Sequence, residues 1–270
     1  MPRAIAEEAT IQWYPGHMAR AMRRLAEDMR AIDIVVEVAD ARVPHSGTNT
    51  ALGKLAGNRP RLLVLSRAQL AEDDATQAWL AHYRELGRAA IAVDAKDRSG
   101  AARLRAAVDA LAAERRSARV IVLGIPNAGK STAINALAGR NVARAEDRAG
   151  VTRARQWFRM NDALEIMDTA GILAPKIDTP EAQWKLALVG AVPRARFDAE
   201  DIVARFTRWL REARPRSTIP DLETFAQSRG FVRRGTMVDT HNAAWAYLKD
   251  LGDGKFGKIS LEEVKIGLVE

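Results

Sequence analysis

The 270-residue chain is 47% hydrophobic, enough for a packed core and too much for a disordered one. It carries 42 Lys plus Arg against 34 Asp plus Glu, a net charge of +8 that suits a polyanionic partner such as RNA without requiring one. With no cysteine it has neither a disulfide framework nor a Cys-based zinc site, and no apolar run is long enough to span a bilayer.

The chain opens on "MPRAIAEEATIQ", with acids where a signal peptide needs an apolar core, so the cytoplasm is the expected compartment. After "WYPGH", apolar residues recur at helical spacing (Met18, Met22, Leu25, Met29, Ile32), with Arg20, Arg23, Arg24 and Arg30 between them. "IVVEVADAR" is a buried-strand pattern ending in a polar turn, and "RLLVLS" (Arg61 to Ser66) is a second strand. A helix over "DATQAWLAHYREL", a strand "AAIAVDA" and a helix "GAARLRAAVDALAAERR" follow. "RVIVLG" (Arg119 to Gly124) is a fourth strand, "KSTAINALAG" begins the next helix, and "RQWFRM" and "ALEIMD" are two more strands. This alternation implies an α/β domain, a mostly parallel sheet with helices on both faces. After Gly171 the pattern changes: "APKIDTP" is linker-like, and "EAQWKLALVGAV", "AEDIVARFTRWLREA", "LETFAQSRGF" and "THNAAWAYLKDL" are helical. A boundary is placed between Pro175 and Pro180, giving an α/β domain over 1–175 and a smaller all-α domain over 176–270.

"GIPNAGKST" fits G-x-x-x-x-G-K-[ST] with Gly124, Gly129, Lys130 and Ser131, preceded by a strand and followed by a helix as a phosphate loop requires. Glycines let backbone N–H groups turn inward around phosphate oxygens, and the helix N-terminus adds a favourable dipole. Asn127, Ala128, Gly129, Lys130, Ser131 and Thr132 are therefore candidate nucleotide contacts, Lys130 for the terminal phosphates and Ser131 for Mg²⁺. "DTAG" ends an apolar strand, where Asp168 can approach the magnesium and Gly171 the γ-phosphate. Between the two, "RAGVTR" offers Thr152 to the same ion.

No base-recognition motif lies downstream of Gly171, but two strand ends upstream are candidates: Ser66, Arg67, Ala68 and Gln69, and Asp94, Ala95 and Lys96. That order is the order of a circularly permuted P-loop GTPase. On "WYPGHMARA", "DARVPHSGTN", "GIPNAGKSTAIN", "GVTR", "QW", "DTAGIL", "PK", "LALVGAV", "RGFVRRG" and "GKFGKISLE", nearly the whole chain resembles the bacterial ribosome biogenesis GTPase A family. The resemblance implies a cytoplasmic, GTP/GDP-binding, Mg²⁺-dependent GTPase acting in late assembly of the large ribosomal subunit. It further implies a C-terminal helical domain that contacts rRNA. A monomer with neither a membrane nor DNA as partner is expected.

Two positions bear on how such a site works. Family members carry Asn-Lys-x-Asp where this chain has Ser66-Arg67-Ala68-Gln69. A carboxylate at the last position accepts two hydrogen bonds from guanine, whereas a Gln amide offers one acceptor and a donor, a loss of about 1–3 kcal/mol. Three readings stay open: guanine held mainly through the phosphates and the Ala95 N–H, a base preference relaxed or shifted towards adenine, or a degenerate site on an RNA-binding factor. Asp73 and Asp74 lie close enough in sequence to be considered as substitute acids. The residue after Gly171 is Ile172, which has no hydrogen-bonding group to position an attacking water, so that role must come from elsewhere. Asn127 matches a position that helps bind K⁺ in related potassium-dependent GTPases, beside the alternative that it supports a tight loop. His17 matches the family histidine given a part in hydrolysis, beside helix capping or RNA contact.

Basic residues gather at Arg20 to Arg30, Arg140 to Arg159 and Arg205 to Arg216, and in the loops "GFVRRG" and "GKFGK" with Phe231 and Phe256. "DLGDGKFGKISLEE" does not place acceptors at the positions of a calcium loop.

Overall fold

β1 (Ile34–Asp40) is buried at every position, the mark of a strand covered on both faces in a parallel sheet. The computed structural model describes residues 16–140, 142, 156–169, 177, 179–231 and 238–264. In chain order, α1 (Gly16–Asp28) and a 3₁₀ turn lead into β1, and α2 (Thr50–Ala56) into β2 (Arg61–Ser66). α3 (Asp73–Glu85), β3 (Ala89–Val93), α4 (Arg98–Ala112), β4 (Ala118–Gly124) and α5 (Lys130–Ala138) follow, then β5 (Gln156–Arg159) and β6 (Leu164–Asp168). The six strands lie in the order β3-β2-β1-β4-β6-β5, parallel except for β5, which pairs antiparallel with β6 at the edge. Helices α3, α4 and α5 pack against the sheet. The expected strands all form, with ends within two residues of the reading. α2 was not anticipated, because a seven-residue helix has too few turns to show periodicity.

The register fixes where function can sit. Asp40 pairs with Ser66, Ser66 with Val93, Val38 with Gly124 and Val122 with Asp168. The C-terminal ends of five parallel strands therefore open onto one edge, the place where open α/β sheets bind ligands.

The chain divides into two units. The described residues up to Thr169, together with those from Lys258, form the sheet unit; those from Ile177 to Gly257 form the other. In the second, α6 (Pro180–Leu188), α7 (Ala199–Ala213), α8 (Leu222–Ser228) and α9 (Thr240–Gly252) are each started by a side-chain cap from Thr179, Asp198, Asp221 and Asp239. Its core is aromatic: Tyr247 lies 5.0 Å from Phe225 and 4.8 Å from Phe256, ring centre to ring centre, and its hydroxyl donates to Pro220 O. Residues 258–264 depart from the sequence reading, which gave 176–270 to the helical domain. They pack on the sheet unit because their backbone N–H groups find carbonyl partners there: Ile259 N donates to Leu70 O and Leu261 N to Arg42 O, both at 2.9 Å.

Candidate functional site

The phosphate loop is built where β4 meets α5. Gly124 has φ +149°, and a Cβ there would lie 2.2 Å from Val38 O on the neighbouring strand, so only glycine fits. Asn127 (φ 56°) and Gly129 (φ 91°) are left-handed, which turns the loop into the concave run of amides that anions occupy. Lys130 is buried and donates to Ile125 O at 2.9 Å. Burial pulls its ammonium down to a pKa of about 8, with the nearby Asp168 carboxylate pulling the other way. Ser131 and Thr132 stand half-buried on the first turn of α5. Asp168 ends β6, and Thr169 donates to Val122 O at 2.8 Å, tying that strand end to the phosphate-loop strand.

Of the base-recognition candidates, Ser66 meets this loop directly. Ser66 is buried at the end of β2 and its hydroxyl donates to Ala128 O at 2.5 Å. A Cβ on Gly129 would come 3.0 Å from that hydroxyl, so the loop glycine and the short serine fit one another. Arg67 is left-handed (φ 55°), and its guanidinium reaches Asp40 at 3.3 Å. Gln69 is exposed on a 3₁₀ turn, Ala68–Leu70. Beyond β3, Asp94 accepts from Lys96 N at 2.9 Å, Ala95 is buried and Lys96 is exposed. Gly100 allows Asp94 O to approach where a Cβ would sit 2.0 Å away.

Beneath Arg67 lies a pair whose part the sequence did not disclose. Asp40 and Arg42 are both buried, joined at 2.8 and 2.9 Å. Burial pushes the Asp40 carboxyl up, but the Arg42 guanidinium, its hydrogen bonds and Arg67 more than offset this and hold it below the usual carboxylate range. The Asp-Ala-Arg triplet at a strand end was the only visible signal. Of the two considered acids, Asp73 is bound to Lys258 at 2.7 Å, and Asp74 is exposed in the first turn of α3. Neither lies on the turn that carries Gln69. Thr152 and Gly171 lie outside the described residues. His17 falls within the span of α1, and nothing of its side chain is described.

Among the described residues there is no cluster of three His, Cys, Asp or Glu able to hold a metal. Ser131 and Asp168 are hard oxygen donors at neighbouring strand and helix ends, the chemistry Mg²⁺ selects when phosphates complete its shell. No described helix is long and apolar enough to cross a membrane.

Residues 119–208 match the family model described as 50S ribosome-binding GTPase. The chain is similar to ribosome biogenesis GTPase A of Bacillus cereus, 34% identical over 276 residues that cover 93% of each chain. It is also similar to two solved structures. The GDP-bound structure of TM YlqF has a TM-score of 0.71 at 29% identity, covering 89% of this chain and 99% of that one. GNP-bound YlqF from T. maritima has a TM-score of 0.70 at 27% identity, covering 90% and 98%.

Proposed function

The chain belongs to the ribosome biogenesis GTPase A family, and from that premise we propose that it binds and hydrolyses GTP as a ribosome-assembly factor. The observation that carries the reading is the bond from Ser66 to Ala128 O, which joins the base-recognition turn to the phosphate loop at one sheet edge. The similar YlqF proteins are GDP- and GNP-bound, in keeping with it.

In the proposed mechanism, the amides of 124–131 cradle the phosphates and Lys130 neutralises the terminal oxygens. Ser131, Asp168 and Thr152 would hold Mg²⁺, which offsets charge developing across the β- and γ-phosphates. Asn127 would share a K⁺ that does part of an arginine finger's work. Gly171 would donate its N–H to the γ-phosphate, and His17 would position the attacking water that Ile172 cannot hold. We infer that guanine is held chiefly through its phosphates and the Ala95 N–H, with the Arg67 stem over the base and Gln69 supplying less discrimination than a carboxylate. The partner is proposed to be the late large ribosomal subunit, engaged by a cytoplasmic monomer whose helical unit meets rRNA. α7 carries Arg205, Arg208 and Arg211, and a cleft of about 410 Å³ beside it is lined by Trp184 and Trp209, with Arg205 and Arg208 set against Glu181 and Glu212; the two aromatic rings are the part suited to stacking on RNA bases.

Turnover of GTP with and without purified large subunits tests the proposal, and stimulation by the subunit is expected. RNA binding with no turnover in either case would replace the enzyme with a non-hydrolysing assembly factor. Titrating GDP, ADP and XDP tests the base: GDP is expected to bind best, and ADP binding as tightly would overturn the guanine reading.

A further inference from the structure

We infer that the segment Lys258–Val264 is a strap that positions the base-recognition turn, so that its seating and the binding of the nucleobase are coupled. The inference rests on reading Ser66–Leu70 as that turn.

The strap lies between the two loops that frame the turn. On one side Ile259 N donates to Leu70 O at 2.9 Å, the carbonyl at the end of the 3₁₀ turn that carries Gln69. Ser260 and Glu72 bond reciprocally: Ser260 N donates to the Glu72 carboxylate at 3.2 Å, and Glu72 N to the Ser260 hydroxyl at 3.0 Å. On the other side Leu261 N donates to Arg42 O at 2.9 Å. The Glu262 carboxylate accepts from His45 N at 2.7 Å and from Ser46 N at 3.2 Å, and Trp79 Nε1 donates to the Glu262 carbonyl at 3.2 Å. Ile259, Ser260, Leu261 and Glu262 are all buried.

The loop 40–46 that the strap holds is the one that grips the base turn. Asp40 binds Arg67, and Ala41 N donates to Ser66 O at 2.9 Å. The strap thus fixes the turn at Leu70 directly and at Ser66 and Arg67 through one intermediary. All of these contacts fall on the base side of the site, and none of them touches residues 124–131. Removing the strap is therefore expected to loosen recognition of the base and leave the phosphate loop intact. Charge-assisted bonds from two successive backbone amides to one buried carboxylate make Glu262 the strap's strongest single point of attachment. Glu262 and Ser260 are positioning residues, since neither lies at the phosphate loop.

The experiment compares GDP with inorganic tripolyphosphate, which has the phosphates and no base, by calorimetric titration of the full chain. In Glu262→Ala and Ser260→Ala the GDP affinity is expected to fall on the order of tenfold, within the usual range of coupling between two sites, with tripolyphosphate affinity unchanged. Glu262→Gln, which keeps an acceptor oxygen, is expected to restore part of the loss. Equal losses for both ligands, or no loss for either, would overturn the proposal. The wild-type chain supplies a second test that needs no variant. GDP is expected to slow hydrogen exchange at the Ile259 and Leu261 amides, and tripolyphosphate is not; equal protection by both ligands overturns the coupling. A wild-type chain that binds GDP no better than tripolyphosphate would overturn the base-turn reading itself, and the strap's role with it.

Discussion

Lys130 is expected to set how nucleotide binding responds to pH. Its ammonium is buried and its pKa lowered to about 8, so the nucleotide-free protein sheds this proton above pH 8. A polyphosphate needs the cation, so binding above that pH must take a proton up, and affinity is expected to fall about tenfold per unit. Stability moves the other way. A lysine whose folded pKa lies below its ordinary 10.5 costs stability while it is charged, and the cost is relieved as pH rises from about 8 towards 10.5. Titrating GDP at pH 7, 8 and 9 and melting the nucleotide-free protein over the same range checks both signs, and Lys130→Met should abolish the stability trend. Gln69 is the second residue whose chemistry can be read alone. It is exposed on its turn and no carboxylate shares that turn. Gln69→Asp supplies the two acceptors guanine asks for and is expected to tighten GDP by about 1–3 kcal/mol while leaving ADP unchanged. Unchanged GDP binding in that variant would place guanine discrimination elsewhere.

Two elements carry more than their sequence suggests. β4 approaches β1 so closely at Gly124 that Gly124→Ala must push apart the two central strands. A loss of at least about 2 kcal/mol is expected, read as a lower urea midpoint. β1 carries Glu37, buried in the middle of the sheet and bound to Arg61, Arg88 and the Asn49 N–H at the start of α2. Glu37→Ala takes the carboxylate away from two partly buried guanidinium groups and is expected to cost about 3–5 kcal/mol, a large part of a domain's stability. Most of this architecture is legible in the chain. Apolar runs bounded by polar turns place β1, β2, β3 and β4, and glycine spacing with a following helix places the phosphate loop. What is not legible is whatever depends on partners distant in sequence. Glu37 reads as an anomaly in an apolar run until Arg61 and Arg88 are beside it. Lys258–Val264 has no helical or strand period, and its partners lie some 180–220 residues upstream, as the Glu262 and Ser260 bonds record. Ser66 read as a departure from the family motif. The fold makes it a working joint, because a short hydroxyl reaches Ala128 O where the loop comes close.

At the scale of the whole chain, the helical unit is inserted between two attachments to the sheet unit. It follows the strand end that carries Asp168 and Thr169, and it is followed by residues 258–264, whose Ile259 N donates to Leu70 O. In a chain of the usual GTPase order the Asp-x-x-Gly strand would lead onward to the base-recognition motif; here it leads to α6. If γ-phosphate and Mg²⁺ order the chain after that strand, as proposed, the ordering would act on the chain that enters the helical unit, and hydrolysis would release it. The expected outcome is that large-subunit affinity differs between GDP and a non-hydrolysable GTP analogue. A coupling of 1–3 kcal/mol, about 5- to 150-fold, would be ordinary for two linked sites. Linkage demands the reverse effect at the same size: bound large subunit must change the preference for the GTP analogue over GDP by the same factor. Measuring both arms closes the thermodynamic cycle. Equal subunit affinities in the two nucleotide states would sink the coupling, and unequal arms would mean that the titrations were not at equilibrium in the same solution. Repeating the cycle in KCl and in NaCl tests whether a cation takes part in the coupling, since a K⁺ held at Asn127 would make binding of the GTP analogue alone depend on the salt.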